Sequence, residues 1–571
     1  MHKIKWEFKN AQLEPDKINE FSKQFNIGYV FSTVLLNRGI DTEEELRRYI
    51  SKSLEFVYDP NLLPDIEPAC ERIISAISAK EKIVIYGDYD VDGITSVSLL
   101  YSFLKDNGAD VDYYIPDRVT EGYGLNIKAI NKISKLGTKL LITVDCGITS
   151  VGEVELAKAQ KMDVIITDHH TCKEKLPNAR AVINPKRADS DYPFAHLAGV
   201  GVIFKTVLAI AKKMGLNTKD VFLKYVPLAA IGTVADVVDL QSENRIIVDR
   251  GLKQLKNSSL CGINALLEVL GNRPVDSTSI AFSIAPRINA AGRMESAKTA
   301  CELLLSDNPQ TALNLAQNLD KINQRRQLTE KEIYEEALEL ISNDADFENK
   351  RIIVLAKKDW HHGVIGIVAS KITEQFYKPC ILLSYDETGK AKGSGRSVEG
   401  INLFDALTAT EDLLTQFGGH ALAAGLSLNM SEFDEFSKKI NEYIKKSYPE
   451  LPEKSLSIDC SVPPSFITLV NAKQLTRFEP YGMANEKPVF AMNNVKVLHA
   501  NAIGQEQNHL SLSVESGGKT FRAVGFFFGH LAPYLTPNTE IDIAFNLDIN
   551  SWQGAESCQL VIKDIKKSER I

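Results

Sequence analysis

Residues 82–96 of the sequence read KIVIYGDYDVDGITS, an apolar run that passes through an acidic loop into a helical pattern. The run 82–87 is short, apolar and rich in β-branched residues, as is typical of a buried strand in a parallel sheet. The residues after the loop, ITSVSLLYSFLKDNG, favour a helix. This stretch therefore predicts the first strand–loop–helix unit of an α/β fold.

The same alternation of short strands and helical spacing continues downstream. Four more strands are predicted, at 110–116, 139–145, 163–168 and 181–185. Strands that alternate with helices predict a parallel sheet with buried strands.

The rest of the chain divides into three further regions. Residues 197–345 read mostly as helix, and the charged run 319–341 predicts a long connecting helix. RIIVLA (351–356) opens a second, smaller α/β unit that ends before the linker PELPEK (449–454). Beyond the linker, 509–514 and 541–549 alternate apolar and polar residues, and SGG (516–518) is typical of a hairpin turn. A C-terminal β-barrel domain is predicted.

The loop after the first strand carries three carboxylates, Asp88, Asp90 and Asp92, within five residues. Such a group repels itself unless it is solvated or binds a cation. An EF-hand would need a glutamate at the twelfth position, which is Leu99 here, so that interpretation fails. A solvated acidic loop remains the simple alternative.

Other predicted strands also end in acids or imidazoles. The strand 139–145 ends at Asp145, and 163–168 is followed by His169 and His170. A further carboxylate, Asp236, interrupts the apolar stretch LAAIGTVADVVDL, where burial is costly unless it is paired or bound to metal. Because ligand sites of open parallel sheets lie at the carboxyl ends of strands, a metal centre is predicted there. Many carboxylates, few imidazoles and no thiolates favour Mn²⁺ or Mg²⁺ over Zn²⁺, and the oxygens suffice for two ions.

Composition bounds the remaining possibilities. The chain has 571 residues, 44 % hydrophobic and 25 % charged, with a formal net charge of −8. These values fit a globular protein of about four domains. The eight cysteines form no C-x-x-C pair and no GxxxxGK[ST] loop is present, so neither a zinc finger nor an ATP-binding P-loop is indicated. With no apolar run long enough to span a bilayer, we expect a cytoplasmic protein without a membrane partner.

The motifs GDYDVDG, ITVDCG, TDHH and IGTVADVV together resemble the four motifs of the DHH phosphoesterase superfamily. Within it, PRINAAGRM, WHHGVIGIVASKI, GSGRS and FGGHALAAGL are similar to the bacterial single-stranded-DNA-specific exonucleases. The resemblance covers nearly the whole chain. It implies an α/β fold with a parallel-sheet DHH catalytic domain, a long helix, a smaller α/β DHHA1 domain and a C-terminal β-barrel, OB-like domain. The expected boundaries are 1–50 for an N-terminal segment, 51–318, 319–345, 346–450 and 455–571.

The resemblance also implies roles for individual residues. Asp145 would bridge two ions, and His170 would orient water or assist proton transfer. Asp88 is either a ligand or a support for the loop. The full set of implied metal ligands is Asp88, Asp90, Asp92, Asp145, His169 and Asp236, and the implied catalytic residues are Asp145, His169 and His170.

Arginines beside small residues are suited to bidentate contact with phosphate. Arg118, Arg287, Arg293 and Arg396 have such neighbours, and Ser394 lies in the Gly-spaced loop GSGRS. Each arginine could equally form a surface salt bridge. The resemblance implies that Arg118, Ser394 and Arg396 hold a 5′-phosphate. It further implies substrate contacts from the remaining members of the set, Tyr123, Arg287, Asn289, Arg293, His362 and His420.

The function that follows is a Mn²⁺- or Mg²⁺-dependent 5′→3′ exonuclease that cuts single-stranded DNA to 5′-mononucleotides in DNA repair and recombination. One alternative is a phosphodiesterase of short oligonucleotides or cyclic dinucleotides, and another is a non-catalytic binding protein of the same fold. The resemblance implies single-strand-binding protein and a helicase as partners. The negative net charge of the chain does not exclude binding of nucleic acid, because several of the acidic residues are expected to bind metal.

Overall fold

The computed structural model describes residues 4–118, 120–271, 273–552 and 554–568. They divide into two compact units. The first contains Tyr58–Val238 and Arg250–Glu453. The second contains the residues up to Val57, Asp239–Asp249 and the chain from Lys454 onward.

The first unit contains a five-stranded parallel sheet, here called the first sheet. Its strands in spatial order are Asp110–Tyr114, Lys82–Gly87, Leu140–Val144, Asp163–Thr167 and Ala181–Ile183. All five predicted strands are confirmed: the first is unchanged, the strand predicted at 139–145 is shortened at both ends, and the other three are shortened at their carboxyl ends. The central strands are buried on both faces, which explains why their sequences are continuously apolar.

This part of the chain is rich in helices, and several of them pack against the first sheet. Those before the connecting helix are Ile66–Ser78, Val91–Asp106, Ile127–Lys135, Val151–Ala159, Gly199–Lys213, Thr218–Ala235, Ser242–Leu255, Cys261–Val269, Ser277–Ser279, Ala285–Met294 and Lys298–Leu304. The connecting helix runs over Pro309–Ser342 and starts ten residues before the predicted 319, because Asn308 caps its first turn and Pro309 occupies its first position. None of the helices in the described ranges is long and apolar enough to cross a bilayer.

A second five-stranded sheet completes the first unit. In spatial order its strands are Gln416–Gly419, Ala423–Asn429, Lys390–Arg396, Cys380–Tyr385 and Ile353–Lys358. Only the last two pair in parallel. The helices of this region are His362–Phe376, Leu403–Thr408 and Phe433–Ser447.

The second unit is built around a closed five-stranded barrel. Its strands are Phe490–Ile503, His509–Ser516, Lys519–Gly525, Ala555–Lys567 and Glu540–Trp552, and the first pairs with the last. The predicted turn is confirmed, since Ser516 pairs with Lys519 and both intervening glycines have positive φ. Shorter elements are the helix Leu469–Leu475 and the strand Cys460–Ser461.

The N-terminal residues pack within this second unit rather than standing alone. The helices Pro15–Phe25 and Tyr29–Asn37 place Phe21, Val34 and Leu35 in the same core as Phe490 and Phe545 of the barrel. The next helix is Glu43–Ser51, and the strand Lys5–Phe8 pairs in parallel with Ser455–Ile458. An N-terminal segment treated separately from 455–571 therefore differs from the observed packing. Helices this apolar on one face need a partner, and here it is supplied by chain more than 400 residues away.

Candidate metal centre and anion pocket

The ends of three neighbouring strands in the first sheet bring acids to one edge. Asp88, Asp145 and Asp168 each follow directly on a strand. All three are buried. Because parallel strands end on the same side of a sheet, carboxylates far apart in sequence come together here.

The helix that begins at Val91 positions the next two acids. Asp90 is its N-cap, and its carboxylate accepts a hydrogen bond from the amide of Gly93 (3.1 Å). Asp92 lies in the first turn and is 1 % exposed. Its two oxygens accept hydrogen bonds from the amides of Gly199 (2.6 Å) and Val200 (2.7 Å). The N-terminus of a second helix thus fixes the Asp92 carboxylate.

His169 connects three of these carboxylates. Its Nε2 lies 3.3 Å from Oδ1 of Asp145, 3.5 Å from Oδ2 of Asp236 and 3.9 Å from Oδ2 of Asp92. Asp236 reaches the site because it caps the C-terminus of Thr218–Ala235. The predicted convergence of these four residues is thus present in the fold.

Several atoms of the cluster are buried without a hydrogen-bond partner among the described residues. They are Oδ1 of Asp88, Oδ1 of Asp145, Oδ2 of Asp236 and Nε2 of His169. Buried polar groups are normally paired, so several unpaired acceptors that face one point indicate a site suited to a cation. This donor set, rich in carboxylates with one imidazole, fits Mn²⁺ or Mg²⁺.

The ionisation of the cluster reflects the same crowding. Burial and the charge of Asp90 raise the pKa of Asp88 to about 8. Burial, again with Asp90, raises the pKa of Asp236 to about 7. Burial and neighbouring carboxylates raise the pKa of Asp92 and of Asp145 well above the usual range. Without a cation these acids hold protons, which a divalent ion would displace.

His169 and His170 differ in their surroundings. Burial and the charge of His170 lower the pKa of His169 to about 3, so its imidazole is neutral, as a ligand must be. His170 contacts Asp168 through Nδ1 (2.7 Å). Burial opposes its charge, but this hydrogen bond raises the pKa of His170 overall.

Asp168 has a supporting position in the site. Its carboxylate accepts hydrogen bonds from the amides of Ile148 (2.9 Å), His169 (2.7 Å) and His170 (3.1 Å) as well as from the His170 ring. Those contacts orient both histidines. Tyr123 also contacts His170, with its hydroxyl 3.1 Å from the same Nδ1 atom and its side chain 52 % exposed.

The ligand atoms form three overlapping groups, within each of which they lie no more than 4.8 Å apart. The groups are Asp92–His169–Asp236, Asp88–Asp90–Asp145 and Asp145–His169–His170. Since Asp145 belongs to two groups and its Oδ1 lies close to Nε2 of His169, it is placed between two potential ion positions.

A cavity of about 460 Å³ lies in the same unit. Arg118 and residues of the second sheet line it. His362 and Ser394, both predicted, line it together with Lys392 and Gln416, which were not predicted. Ser394 accepts a hydrogen bond from Nη1 of Arg396 (3.0 Å). The cavity is therefore cationic with hydroxyl and amide groups, a composition suited to phosphate.

Arginine side chains crowd beside this cavity. Burial, followed by the charges of Arg118, Arg326 and Arg396, lowers the pKa of Arg293 to about 10. Burial and Arg118 likewise lower the pKa of Arg396. Repulsion of this kind is relieved by a bound anion. Arg118 itself lies over the ring of Tyr89, with Cζ 4.9 Å from the ring centroid.

The remaining predicted substrate residues have other surroundings. Arg287 donates to Asp320 (2.8 Å) and to the carbonyl of Ser283 (2.7 Å), which is the salt-bridge alternative considered for each arginine. Asn289 is half-buried in the helix Ala285–Met294. His420 is exposed beside the hairpin of the second sheet and does not line the cavity.

The functional residues that the sequence analysis did not predict share one feature. Lys392 directly precedes GSGRS on the strand Lys390–Arg396, and Gln416 starts the edge strand of the second sheet, one strand further away. Arg326 is buried on the connecting helix, where Glu330 (2.7 Å) and Asn323 (3.0 Å) accept its hydrogen bonds. Each lies in sequence that is typical of an ordinary surface. Strand pairing brings Lys392 and Gln416 to the cavity, and helix packing brings the charge of Arg326 near Arg293.

The fold and the acidic strand ends define a member of the DHH family. Residues 82–233 match the DHH family N-terminal domain, 349–446 match the DHHA1 domain and 458–564 match the RecJ OB domain. The family resemblance predicted from the motifs is thereby confirmed.

Relatives that match nearly the whole of this chain identify the family more closely. The chain is 38 % identical to the single-stranded-DNA-specific exonuclease RecJ of Bacillus subtilis, over 99 % of this chain and 71 % of that protein. It is 34 % identical to RecJ of Escherichia coli, over 93 % of this chain and 94 % of the relative. The crystal structure of RecJ with Mn²⁺ from Thermus thermophilus superposes with a TM-score of 0.84 at 30 % identity, covering 100 % of this chain and 80 % of that one. The chain belongs to the RecJ family.

Proposed function

We propose that the chain is a Mn²⁺- or Mg²⁺-dependent exonuclease that degrades single-stranded DNA from its 5′ end and releases 5′-mononucleotides. The observation that carries the proposal is the pairing of the carboxylate–imidazole cluster with the cationic cavity in one unit. Membership of the RecJ family and the solved relatives with Mn²⁺ and with Mg²⁺ support it.

Two ions would be held by the cluster. Asp92, His169 and Asp236 are the proposed ligands of one, Asp88 and Asp90 of the other, and Asp145 of both. Ions so placed supply activation of the attacking water and stabilisation of the leaving oxygen. Asp88 keeps its place in this set because its Oδ1 is buried and unpaired within the described residues.

Side chains of the protein itself would transfer a proton and hold the reacting groups in position. In the proposal, His170 takes or gives a proton at its imidazole, while Asp168 holds Nδ1 and fixes the ring. The half-exposed ring of Tyr123 lies beside His170 with centroids 5.6 Å apart and is free on one side to stack on a base.

The cavity would set the direction in which the strand is cleaved. Arg118, Ser394 and Arg396 are proposed to bind the 5′-phosphate, with Arg293 adding charge at the same place. A strand anchored by its terminal phosphate presents the adjacent bond to the cluster, so cleavage proceeds 5′→3′. We place His362 against the same phosphate and keep Arg287, Asn289 and His420 as contacts further along the strand.

The predicted domain bounds remain a prediction, supported by the profile matches at 82–233, 349–446 and 458–564. The same holds for single-strand-binding protein and a helicase as partners, and for action in DNA repair and recombination. An OB domain fits binding of single strands, which lengthens the contact with DNA beyond the nuclease cluster.

Single strands labelled at the 5′ or the 3′ end test the proposal directly. With Mn²⁺, a 5′ label should appear at once as mononucleotide, whereas a 3′ label should stay on a shortening strand. Loss from both ends at equal rates contradicts the polarity. Faster hydrolysis of a cyclic dinucleotide than of a long strand would favour the alternative phosphodiesterase.

A further inference from the structure

The cavity lined by Arg118 and the second sheet has more room than a terminal phosphate needs. Its volume of about 460 Å³ falls within the roughly 300–1,000 Å³ that is typical of sites for drug-sized ligands. The groups proposed to hold the phosphate, Arg118, Ser394 and Arg396, need only part of that space. The lining continues across two more strands, Ala423–Asn429 and Gln416–Gly419. The part of the cavity over these two strands has no ligand in the proposed function.

A row of polar side chains crosses the sheet in this part of the cavity. Ala391 and Leu426 point into the core on the opposite face of the sheet. Their neighbours along the two strands, Lys392 and Ser427, therefore face the cavity, where they pair with each other. Gln416 of the edge strand pairs with Ser427 in turn. The row thus presents an ammonium group, a hydroxyl and an amide to the same space.

Two glycines keep the space beside this row empty. Gly425 pairs with Ser394 on one side and with Gly418 of the edge strand on the other. A Cβ added to Gly418 would have no atom within 4 Å, and one added to Gly425 would meet only the carbonyl oxygen of Gly393, at 4.0 Å. Neither glycine has a positive φ. Since glycine weakens a strand, glycines that neither the backbone nor the packing requires indicate close approach by a ligand.

The positive charge around the cavity also exceeds what one phosphate neutralises. Arg118 and Lys392 line the cavity, and none of the described residues that line it is acidic. Arg396 donates a hydrogen bond to Ser394 in its wall (3.0 Å), and Arg293 lies close enough to be repelled by the charges of Arg118 and Arg396. A phosphate monoester carries about −1.5 to −2 charges at neutral pH. A ligand with more than one phosphate matches both the charge and the volume better.

We propose that the row and the two glycines, here called the extension pocket, bind the outer phosphates of a single strand whose 5′ end carries a triphosphate. The inference rests on the proposed function and widens its substrate class. The innermost phosphate takes the place assigned to a terminal phosphate, at Arg118 and Ser394. The outer two lie over the glycines and accept hydrogen bonds from Lys392 and Gln416.

The reaction is the same hydrolysis with a different first product. Water adds across the first phosphodiester bond, so the bond from phosphorus to the 3′ oxygen breaks. The hydroxyl of the water stays on the phosphorus, and its proton ends on the 3′ oxygen. The first product is a nucleoside triphosphate with a free 3′-hydroxyl, and the remaining strand keeps a 5′-monophosphate for the following rounds.

Polythymidine strands with a 5′-triphosphate or a 5′-monophosphate, incubated with Mn²⁺, test the inference. The unmodified protein should release thymidine triphosphate first from the triphosphate strand, with a KM no higher than that of the monophosphate strand. Lys392→Ala should raise the KM of the triphosphate strand at least about tenfold more than that of the monophosphate strand, because hydrogen bonds between charged groups are the strong ones. Gly418→Asp places a carboxylate in open space over the sheet and should act in the same direction.

Lys390→Ala is the matched control. Lys390 lies on the same strand and the same face as Lys392 and is exposed, but it does not line the cavity. Its removal should leave the KM of both strands unchanged. The Tm of all three variants is measured alongside, and each should equal that of the unmodified protein.

Calorimetry in EDTA examines the extension pocket without hydrolysis, with inorganic tripolyphosphate and inorganic phosphate as the probes. The unmodified protein and Lys390→Ala should bind tripolyphosphate at least about tenfold more tightly than phosphate, since more hydrogen bonds to charged groups form. Lys392→Ala should lose most of that difference. An equal loss in Lys392→Ala and Lys390→Ala would overturn the inference, because the effect would then come from net charge alone.

Separate outcomes identify which proposal fails. Degradation of the monophosphate strand without cleavage of the triphosphate strand would overturn the inference and leave the proposed function intact. Equal increases of KM on both strands in Lys392→Ala would also overturn it, since Lys392 would then bind the terminal phosphate. Inhibition by a free nucleoside triphosphate without cleavage of the triphosphate strand would overturn it in favour of a nucleotide site. If neither strand is degraded, the proposed function fails, and the tripolyphosphate titration still decides whether the extension pocket binds outer phosphates.

Discussion

The Nε2 atom of His169 lies 3.3 Å from Oδ1 of Asp145, and within the described residues neither atom has a hydrogen-bond partner. The two residues follow adjacent strands of the first sheet. A neutral imidazole and a buried carboxylate oxygen at this distance are two acceptors facing each other unless a proton or a cation lies between them.

The first prediction concerns pH and metal. The pKa of Asp88 is raised to about 8 and that of Asp236 to about 7, whereas both groups ionise near 3.9 in an unfolded chain. Between about pH 4 and 8 the folded state therefore holds more protons, so the free energy of unfolding of the metal-free protein falls as pH rises. Mn²⁺ replaces those protons, and its increase in Tm should be larger at pH 8 than at pH 6.

Differential scanning fluorimetry at both pH values, with Mn²⁺ or EDTA, measures this effect. Asp236→Asn should flatten the pH dependence of the metal-free protein. A metal-free Tm that rises from pH 6 to pH 8 would contradict the prediction.

The second prediction concerns Asp145→Asn. Loss of the shared ligand should lower single-strand hydrolysis by more than about a hundredfold, since even supporting partners of metal ligands contribute 10- to 100-fold. The same exchange removes a buried acid that is crowded by Asp90 and Asp92, so the metal-free Tm should rise. Hydrolysis assays and thermal unfolding in EDTA check the two parts, and retained activity would refute the bridging role.

The third prediction concerns Arg118→Ala in the cavity. Hydrogen bonds to charged groups contribute about 1.5–3 kcal/mol, so KM for a 5′-phosphorylated strand should rise at least about tenfold. A strand with a 5′-hydroxyl should show little change. The matched control is Lys358→Ala, which removes a cation of the second sheet that pairs with Glu387 (2.6 Å) and does not line the cavity. Equal losses on both strands would assign Arg118 a structural role.

The fourth prediction concerns Gly199, whose amide holds Asp92. A Cβ at this position would lie 2.6 Å from Oδ1 of Asp145, closer than van der Waals contact allows. Gly199→Ala should therefore displace the carboxylate and weaken Mn²⁺ binding, measured by calorimetry. Gly152→Ala is the control, since nothing lies within 4 Å of its Cβ and alanine favours the helix that contains it. Equal Mn²⁺ affinity in both variants would contradict the prediction.

Local sequence patterns predicted the sheet well because buried parallel strands are apolar on both faces and their ends carry the acids. The strand Lys82–Gly87 and the cluster around Asp145 and His169 follow from that rule alone. The hairpin at Gly517 and Gly518 follows from the need for positive φ.

Features that depend on contacts between residues far apart in the sequence could not be predicted in this way. Arg287 forms a salt bridge because the connecting helix brings Asp320 to it. His361, which precedes His362 in the motif WHHGVIGIVASKI, caps its own helix by accepting a hydrogen bond from the amide of Gly363 (3.1 Å). Arg326 lowers the pKa of Arg293 because two helices pack together. Local sequence patterns do not predict which faces of those helices meet.

The pairing of Lys5–Phe8 with Ser455–Ile458 has a consequence for synthesis on the ribosome. At roughly 5–20 residues per second, about 20–90 s separate the emergence of these two strands. Through that interval the apolar side chains of Phe21 and Leu35 lack the barrel residues that bury them, while the intervening α/β chain is already able to fold. The N-terminal helices are thus made first, but they can bury their apolar faces only after the barrel has been synthesised.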